Sequence, residues 1–173
     1  ASTIDHISGG RLVLGIGAGW QENEHEKYGF DFSTVKGRLD RLDEAVEIIT
    51  SLLANPRTDF DGNHYTIVDA PLDPKPLQKK IPLMIGGGGR KRTLRTAALH
   101  ADEWNYWGMP SDIEELCEVL DAHCEDVGRD PNEIQRSACA LMFIAEDEEK
   151  LARFRGKDFG RATIVGTPSE VID

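Results

Sequence analysis

The 173-residue chain has no apolar run approaching the roughly 18 residues that cross a bilayer. Its first residues, Ala1 to His6, lack the basic and then apolar character of a signal peptide, so a cytoplasmic location is expected, with no membrane partner. Cysteine is scarce: Cys117, Cys124 and Cys139 are odd in number and form no Cys-x-x-Cys pair, which argues against a disulfide framework and a zinc site. The first two lie seven apart on an expected helix and read as small core residues. No His-Glu-x-x-His pattern links His6, His25, His64, His100 and His123, so no metal is expected. Positive charge is short as well: 20 Lys plus Arg stand against 31 Asp plus Glu, for a net charge of −11. Such a surface repels phosphate backbones and anionic lipid, which excludes nucleic acid as an expected partner.

The shortage of cations is uneven. Gly86 to His100 (GGGGRKRTLRTAALH) carries four basic residues and no acid, a local cationic site able to hold one small anion. The remaining composition, 39% hydrophobic and 29% charged, is that of an ordinary globular domain.

Strand and helix patterns alternate along the chain. Arg11 to Ile16 (RLVLGI) reads as a strand buried on both faces, followed by GAGWQENE. Val35 to Leu53 has apolar residues at helical spacing and stops at Asn55-Pro56. The segment from Arg57 to Ala70 carries an Asp-Gly or Gly-Asn turn signal between aromatic and β-branched residues, which predicts a small hairpin. Ile81 to Ile85 is a second buried strand, followed by four glycines and a helix from Arg90 to Ala101. Glu103 to Trp107 predicts a third strand. Ser111 with Glu114 predicts a capped helix, Gln135 to Ala145 a fourth strand, Glu148 to Phe154 a short helix and Ala162 to Val165 a fifth strand. Alternation of this kind means a parallel sheet with crossover helices. Thr167-Pro168-Ser169-Glu170 is a helix start lying within a turn of the chain's end. A full barrel of eight strand-helix units takes about 250 residues, so the expectation is a single partial domain, residues 1–173, holding the last five units of a larger α/β protein.

Two loops after buried strands could carry chemistry, because ligands bind at that end of α/β sheets. Gly15-Ile16-Gly17-Ala18-Gly19-Trp20 fails as a dinucleotide fingerprint: Trp20 occupies the third glycine position, and residues 21 to 33 read as polar and irregular where a helix must follow at once. Gly86 to Thr93 is physically the stronger. Glycines admit close backbone approach, N–H groups at a helix start favour an anion, and Arg90, Lys91 and Arg92 add charge. It is not a Walker A loop, and both a phosphate cradle and a flexible turn with a solvated basic face satisfy the pattern.

At these residues the chain resembles the luciferase-like monooxygenase superfamily, in particular its branch of coenzyme F420-dependent oxidoreductases. The resemblance rests on TIDHISGGRLVLGIGAGWQENE, GRLDRLDEAVEII, DFDGNHY, PKPLQKKIPLMIGGGGRKRTLRTAALHADEWN and ATIVGTPSEV, which span nearly the whole chain in the family's order. It implies a TIM (β/α)8 barrel present in part, with RLVLGIG as strand 4 and ATIV as strand 8. It also implies a flavin or deazaflavin at the C-terminal mouth, with Ala18, Gly19 and Asn23 against the ring and Gly88, Gly89, Lys91 and Arg92 around the phosphate tail.

Trp104, Asn105 and Trp107 are then expected to line the substrate pocket, the alternative being packing between helices. Trp20 departs from sugar-phosphate-oxidising members, which place a glutamate there as an acid, a role an indole cannot fill. Glu22, Glu24, His25 and Glu26 read as a solvated loop face. The family's catalytic histidine belongs to strands outside this chain, so the catalytic residue is unassigned. The function implied is F420-dependent hydride transfer to or from a small organic substrate. The alternatives are an FMN-dependent monooxygenase and, in another class, a non-catalytic flavin-binding module. A homodimer is expected of the full-length protein.

Overall fold

The computed structural model describes residues 1–172, Pro110 by its backbone alone. Four strands, β1 (Leu14–Ile16), β4 (Leu83–Gly86), β5 (Glu103–Trp107) and β6 (Gln135–Cys139), form a parallel sheet in the order β1-β4-β5-β6. The connections carry α1 (Ser2–Ser8) ahead of β1, α2 (Glu22–Tyr28) and α3 (Val35–Ala54) before β4, α4 (Thr93–His100) before β5, and α5 (Pro110–Val127) before β6. A hairpin of β2 (Thr58–Asp61) and β3 (Thr66–Ala70) follows α3, with Phe60 opposite Ile67.

Register fixes what each face presents. Ile16, Ile85, Trp104 and Arg136 lie in one row across the sheet. Side chains alternate along a strand, so this row, with Leu83, faces α3, α4 and α5. There Leu83, Ile85 and Trp104 pack with Leu94, Ala97, Leu116, Leu120 and Cys124 into one buried core. Each large aliphatic side chain so buried contributes about 1.5–3 kcal/mol. The opposite face carries Gly15, Met84 and Glu103 in one row and Gly86, Asn105 and Ser137 in the next. Its row of Gly86, Asn105 and Ser137 is small and polar where the helix face is large and apolar.

The fourth expected strand is broken at Ala140 into β6 and β7 (Leu141–Ile144). β6 pairs with β5, whereas β7 pairs in parallel with β8 (Thr163–Gly166). A single run therefore bonds one neighbour and then the other, which bends the sheet. A short helix, α6 (Glu148–Leu151), and the segment after it cover β7, where Phe143 stacks on Phe154 at 4.2 Å and Phe159 at 5.2 Å. The terminal α7 spans Pro168–Ile172.

Other boundaries depart from the sequence reading for local reasons. Helix α2 occupies part of the segment read as irregular; none of its residues is buried, so it has no apolar period to detect. Helix α4 starts at Thr93, after a turn at Arg90 to Arg92. Helix α5 begins two residues earlier than Ser111 implied: its cap is Met109, whose N–H donates to the Asp112 carboxylate at 2.8 Å.

Candidate functional site

Because β1 and β4 run side by side in parallel, the turns that leave them emerge at the same edge of the sheet. They touch. A methyl group on Gly17 would lie 3.4 Å from the carbonyl oxygen of Gly86, and one on Gly86 would lie 3.9 Å from that of Ile16. Gly17 and Gly86 thus make a side-chain-free floor over two adjoining strands, against which a flat ring can lie.

The loop beyond Gly86 is held from its inner side. Gly87, at φ +123°, donates its N–H to the Asn105 carbonyl at 3.0 Å, and its own carbonyl accepts the Trp104 indole N–H at 2.9 Å. Gly88 sits on the Tyr106 ring, 2.5 Å from which an added methyl would fall. The N–H groups of residues 88 to 93 donate no hydrogen bond among the described residues; the next, Leu94, donates to the Gly89 carbonyl at 3.1 Å. Six successive donors at a helix N-terminus form the positive end of α4.

The three cations of this turn divide. Arg90 makes a two-pronged pair with Glu115 of α5 at 2.6 and 2.7 Å, and this hydrogen bond holds the Glu115 carboxyl below its ordinary range. Arg92 pairs with Asp40 and Asp43 of α3, and Thr96 Oγ1 donates to Asp43 at 2.6 Å. Lys36, then Arg92, lower the Asp40 carboxyl. Lys91 is exposed and makes no ion pair among the described residues. Arg92, expected around a phosphate, has its guanidinium taken up in fastening the first turn of α4 to α3, while Lys91, Gly88 and Gly89 remain at the donor run.

Around the β1 turn, Ala18 packs against the core edge. Gly19 has φ +79°, and a methyl there would meet the His25 ring at 3.2 Å. Arg38 of α3 donates to the Gly19 carbonyl at 3.1 Å and to the Ser33 carbonyl at 2.8 Å while lying 3.8 Å over the Phe32 ring, so one side chain fixes the turn. His25 donates its Nδ1–H to the Gln21 carbonyl at 2.7 Å and meets Phe32 edge-on. Asn23, Glu22, Glu24 and Glu26 are exposed on α2. A cleft of about 210 Å³ lies between this turn and α3, lined by Ile16, Ala18, His25, Arg38 and Tyr65 among others. It is smaller than the roughly 300–1,000 Å³ of a drug-sized pocket.

Strand β5 corrects one expectation. Trp104 is wholly buried on the helix face, where it anchors Gly87; strand alternation keeps it from the face of Asn105 and Trp107. Asn105 donates to Ser137 Oγ at 2.8 Å, and that hydroxyl donates to the Glu103 carboxylate at 2.6 Å. Trp107 is 40% exposed at the strand's end. Over it, at 5.1 Å from the ring centre, lies the guanidinium of Arg161, which is also 5.5 Å from that of Trp20. Sequence reading passed over Arg161, an isolated arginine without a motif.

The profile of the family described as luciferase-like monooxygenase matches residues 1–168. The chain belongs to this family. It is 33% identical over 171 residues to a 5,10-methylenetetrahydromethanopterin reductase of Archaeoglobus fulgidus, which covers 99% of this chain and 49% of that protein. It is 31% identical over 168 residues to the pyrimidine monooxygenase RutA of Cronobacter sakazakii, 92% of this chain and 47% of that protein. Among solved structures, the coenzyme F420-dependent tetrahydromethanopterin reductase of Methanopyrus kandleri superposes with a TM-score of 0.74 at 25% identity, over 86% of this chain and 46% of that one. This luciferase-like chain spans about half the length of the curated relatives it matches. Its sheet is therefore part of a luciferase-like TIM barrel, in which the face bearing Gly86, Asn105 and Ser137 turns inward. No helix among the described residues is long and apolar enough to cross a membrane.

Proposed function

We propose that the full-length protein is an F420-dependent oxidoreductase that passes a hydride to or from a small organic substrate. The observation that carries this is the run of six N–H groups at residues 88 to 93 that are unengaged among the described residues, beside Lys91 and next to the glycine floor of Gly17 and Gly86. Backbone donors, a helix N-terminus and a lysine suit a phosphate diester tail, and the floor suits a flat tricycle. The residues fit the group. Gly88, Gly89 and Lys91 would hold the phosphate, Ala18, Gly19 and Asn23 would border the ring, and Asn105 and Trp107 would border the substrate. Once bound, F420 supplies the hydride acceptor or donor; the chain supplies position and charge. Likeness to the F420-dependent reductase of Methanopyrus kandleri supports this choice.

The second reading, an FMN-dependent monooxygenase, is supported by the likeness to pyrimidine monooxygenase RutA. F420 and FMN titrated separately into the full-length protein decide between them, the tighter binder naming the branch. Lys91→Ala is expected to weaken that binder about tenfold, the loss of one charge-assisted hydrogen bond. If neither cofactor binds, the proposal fails; tight binding without turnover points to a storage module.

A further inference from the structure

Three segments that are remote in sequence meet at one arginine. Trp20 comes from the turn after β1, Trp107 from the end of β5, and Arg161 from the stretch leading into β8, with its guanidinium carbon 5.5 and 5.1 Å from the two indole centres. Trp107 shares the inward face of Asn105, and Trp20 follows the turn that borders the glycine floor. The cluster therefore stands at the same strand-end edge of the sheet as the glycine floor.

Arg161 is exposed and forms no ion pair or side-chain hydrogen bond among the described residues, in a chain of net charge −11 whose other mouth arginines, Arg38, Arg90 and Arg92, are all engaged. A guanidinium held against aromatic faces keeps the N–H groups of its planar edge available, and that edge matches the two oxygens of a carboxylate or phosphate. The indoles restrain the long side chain before any ligand arrives, so less rotamer freedom is lost on binding. They also present apolar surface to the body of whatever molecule carries the anion. Trp20 at 68% and Trp107 at 40% exposure are otherwise large aromatics left in water.

We propose that Arg161, braced by Trp20 and Trp107, is the residue that selects the substrate, and that the substrate carries an oxyanion on an apolar or aromatic body. This rests on the reading of the mouth as a cofactor and substrate site, but its test does not. In the full-length protein without cofactor, indole fluorescence is followed during titration with benzoate, with inorganic phosphate and with benzamide, the neutral isostere of benzoate. The expected result is a saturable change with benzoate, phosphate or both, none with benzamide, and a loss of the signal in W20F or W107F. The anion giving the tighter curve tells carboxylate from phosphate. Arg161→Gln should weaken binding about tenfold, with Arg161→Lys between the two, as the loss of a bidentate charged contact implies.

Both variants should bind F420 or FMN as the parent does. Equal anion affinity in Arg161→Gln, equal response to benzamide, or no saturable response to either anion overturns the proposal. So does a parallel loss of cofactor affinity, which would make Arg161 a cofactor contact. Failure of the unaltered protein to bind either cofactor would sink the oxidoreductase reading while leaving the anion titration to decide the role of Arg161.

Discussion

Asp5 is a carboxylate with no exposure, held by neighbours that make its charge tolerable. It accepts the backbone N–H of Gln78 at 3.0 Å and the Gln78 side-chain amide at 2.8 Å, tying α1 to the segment that leads into β4. The Gln78 backbone N–H lowers its pKa most, against the opposing effect of burial. A carboxyl with a folded pKa below its unfolded value binds fewer protons when folded. Its stabilisation is complete above the unfolded value of about 3.9 and disappears as pH falls below it through the folded value. Asp5→Asn, which turns an NH2 toward one of the two Gln78 donors and removes the charge, should lower the melting temperature by several degrees at pH 7. Melting curves from pH 7 to 3 should show the gap to the parent closing below about pH 4; a constant gap would mean packing rather than charge. Trp104 supplies a second test. Trp104→Phe removes the donor to the Gly87 carbonyl and leaves space beside it, for an expected loss of about 2–4 kcal/mol in urea titration.

Between elements, the glycine loop lies against β5 and α5 where Gly88 meets Tyr106 and Leu116. A methyl at residue 88 would fall 2.5 and 3.0 Å from Tyr106 ring carbons and 3.2 Å from Leu116, in a place where neither can withdraw without moving the core. Gly88→Ala is expected to cost about 1–3 kcal/mol by overpacking, measured as a shift in denaturation midpoint, and Gly88→Ala with Tyr106→Leu should recover part of it. Elements with a strong local signal were legible in the sequence. Helix α3 runs Val35–Ala54 because Leu42, Val46 and their neighbours recur at helical spacing, Thr34 Oγ1 accepts the Gly37 N–H at 3.1 Å, and Asn55-Pro56 stops it. Strand β5 spans the five residues expected. Helix α2 was invisible because it buries nothing. Arg92 looked like a phosphate ligand because its partners Asp40 and Asp43 lie about fifty positions away, joined to it only by the fold. The two faces of β5 were legible in principle: Trp104 and Trp107, three apart on a strand, point to opposite sides.

At the scale of the whole molecule, two opposing terms govern how residues 1–173 behave as an isolated polypeptide. The outer edges of β1 and β8 have no strand partner among the described residues, and Val13, Met142 and Ile144 are each more than 40% exposed. Unpaired edges and apolar side chains favour association. Against them stands a net charge of −11, which keeps copies apart. Charge repulsion is screened within about 10 Å at 0.1 M salt and about 3 Å at 1 M, whereas edge pairing and apolar contact act at touching distance and are not. The edges should therefore prevail as screening increases. In sedimentation or light scattering the isolated polypeptide is expected to self-associate more strongly at 1 M than at 0.05 M NaCl, and most strongly near pH 5, where its charge vanishes around the isoelectric point of 4.9. The full-length protein, whose additional strands would cover those edges in a closed barrel, should show neither trend. A monodisperse, cooperatively melting monomer of the isolated polypeptide at 1 M salt would show that its edges are already protected, and that the barrel's remaining strands are not needed to hold the glycine floor in place.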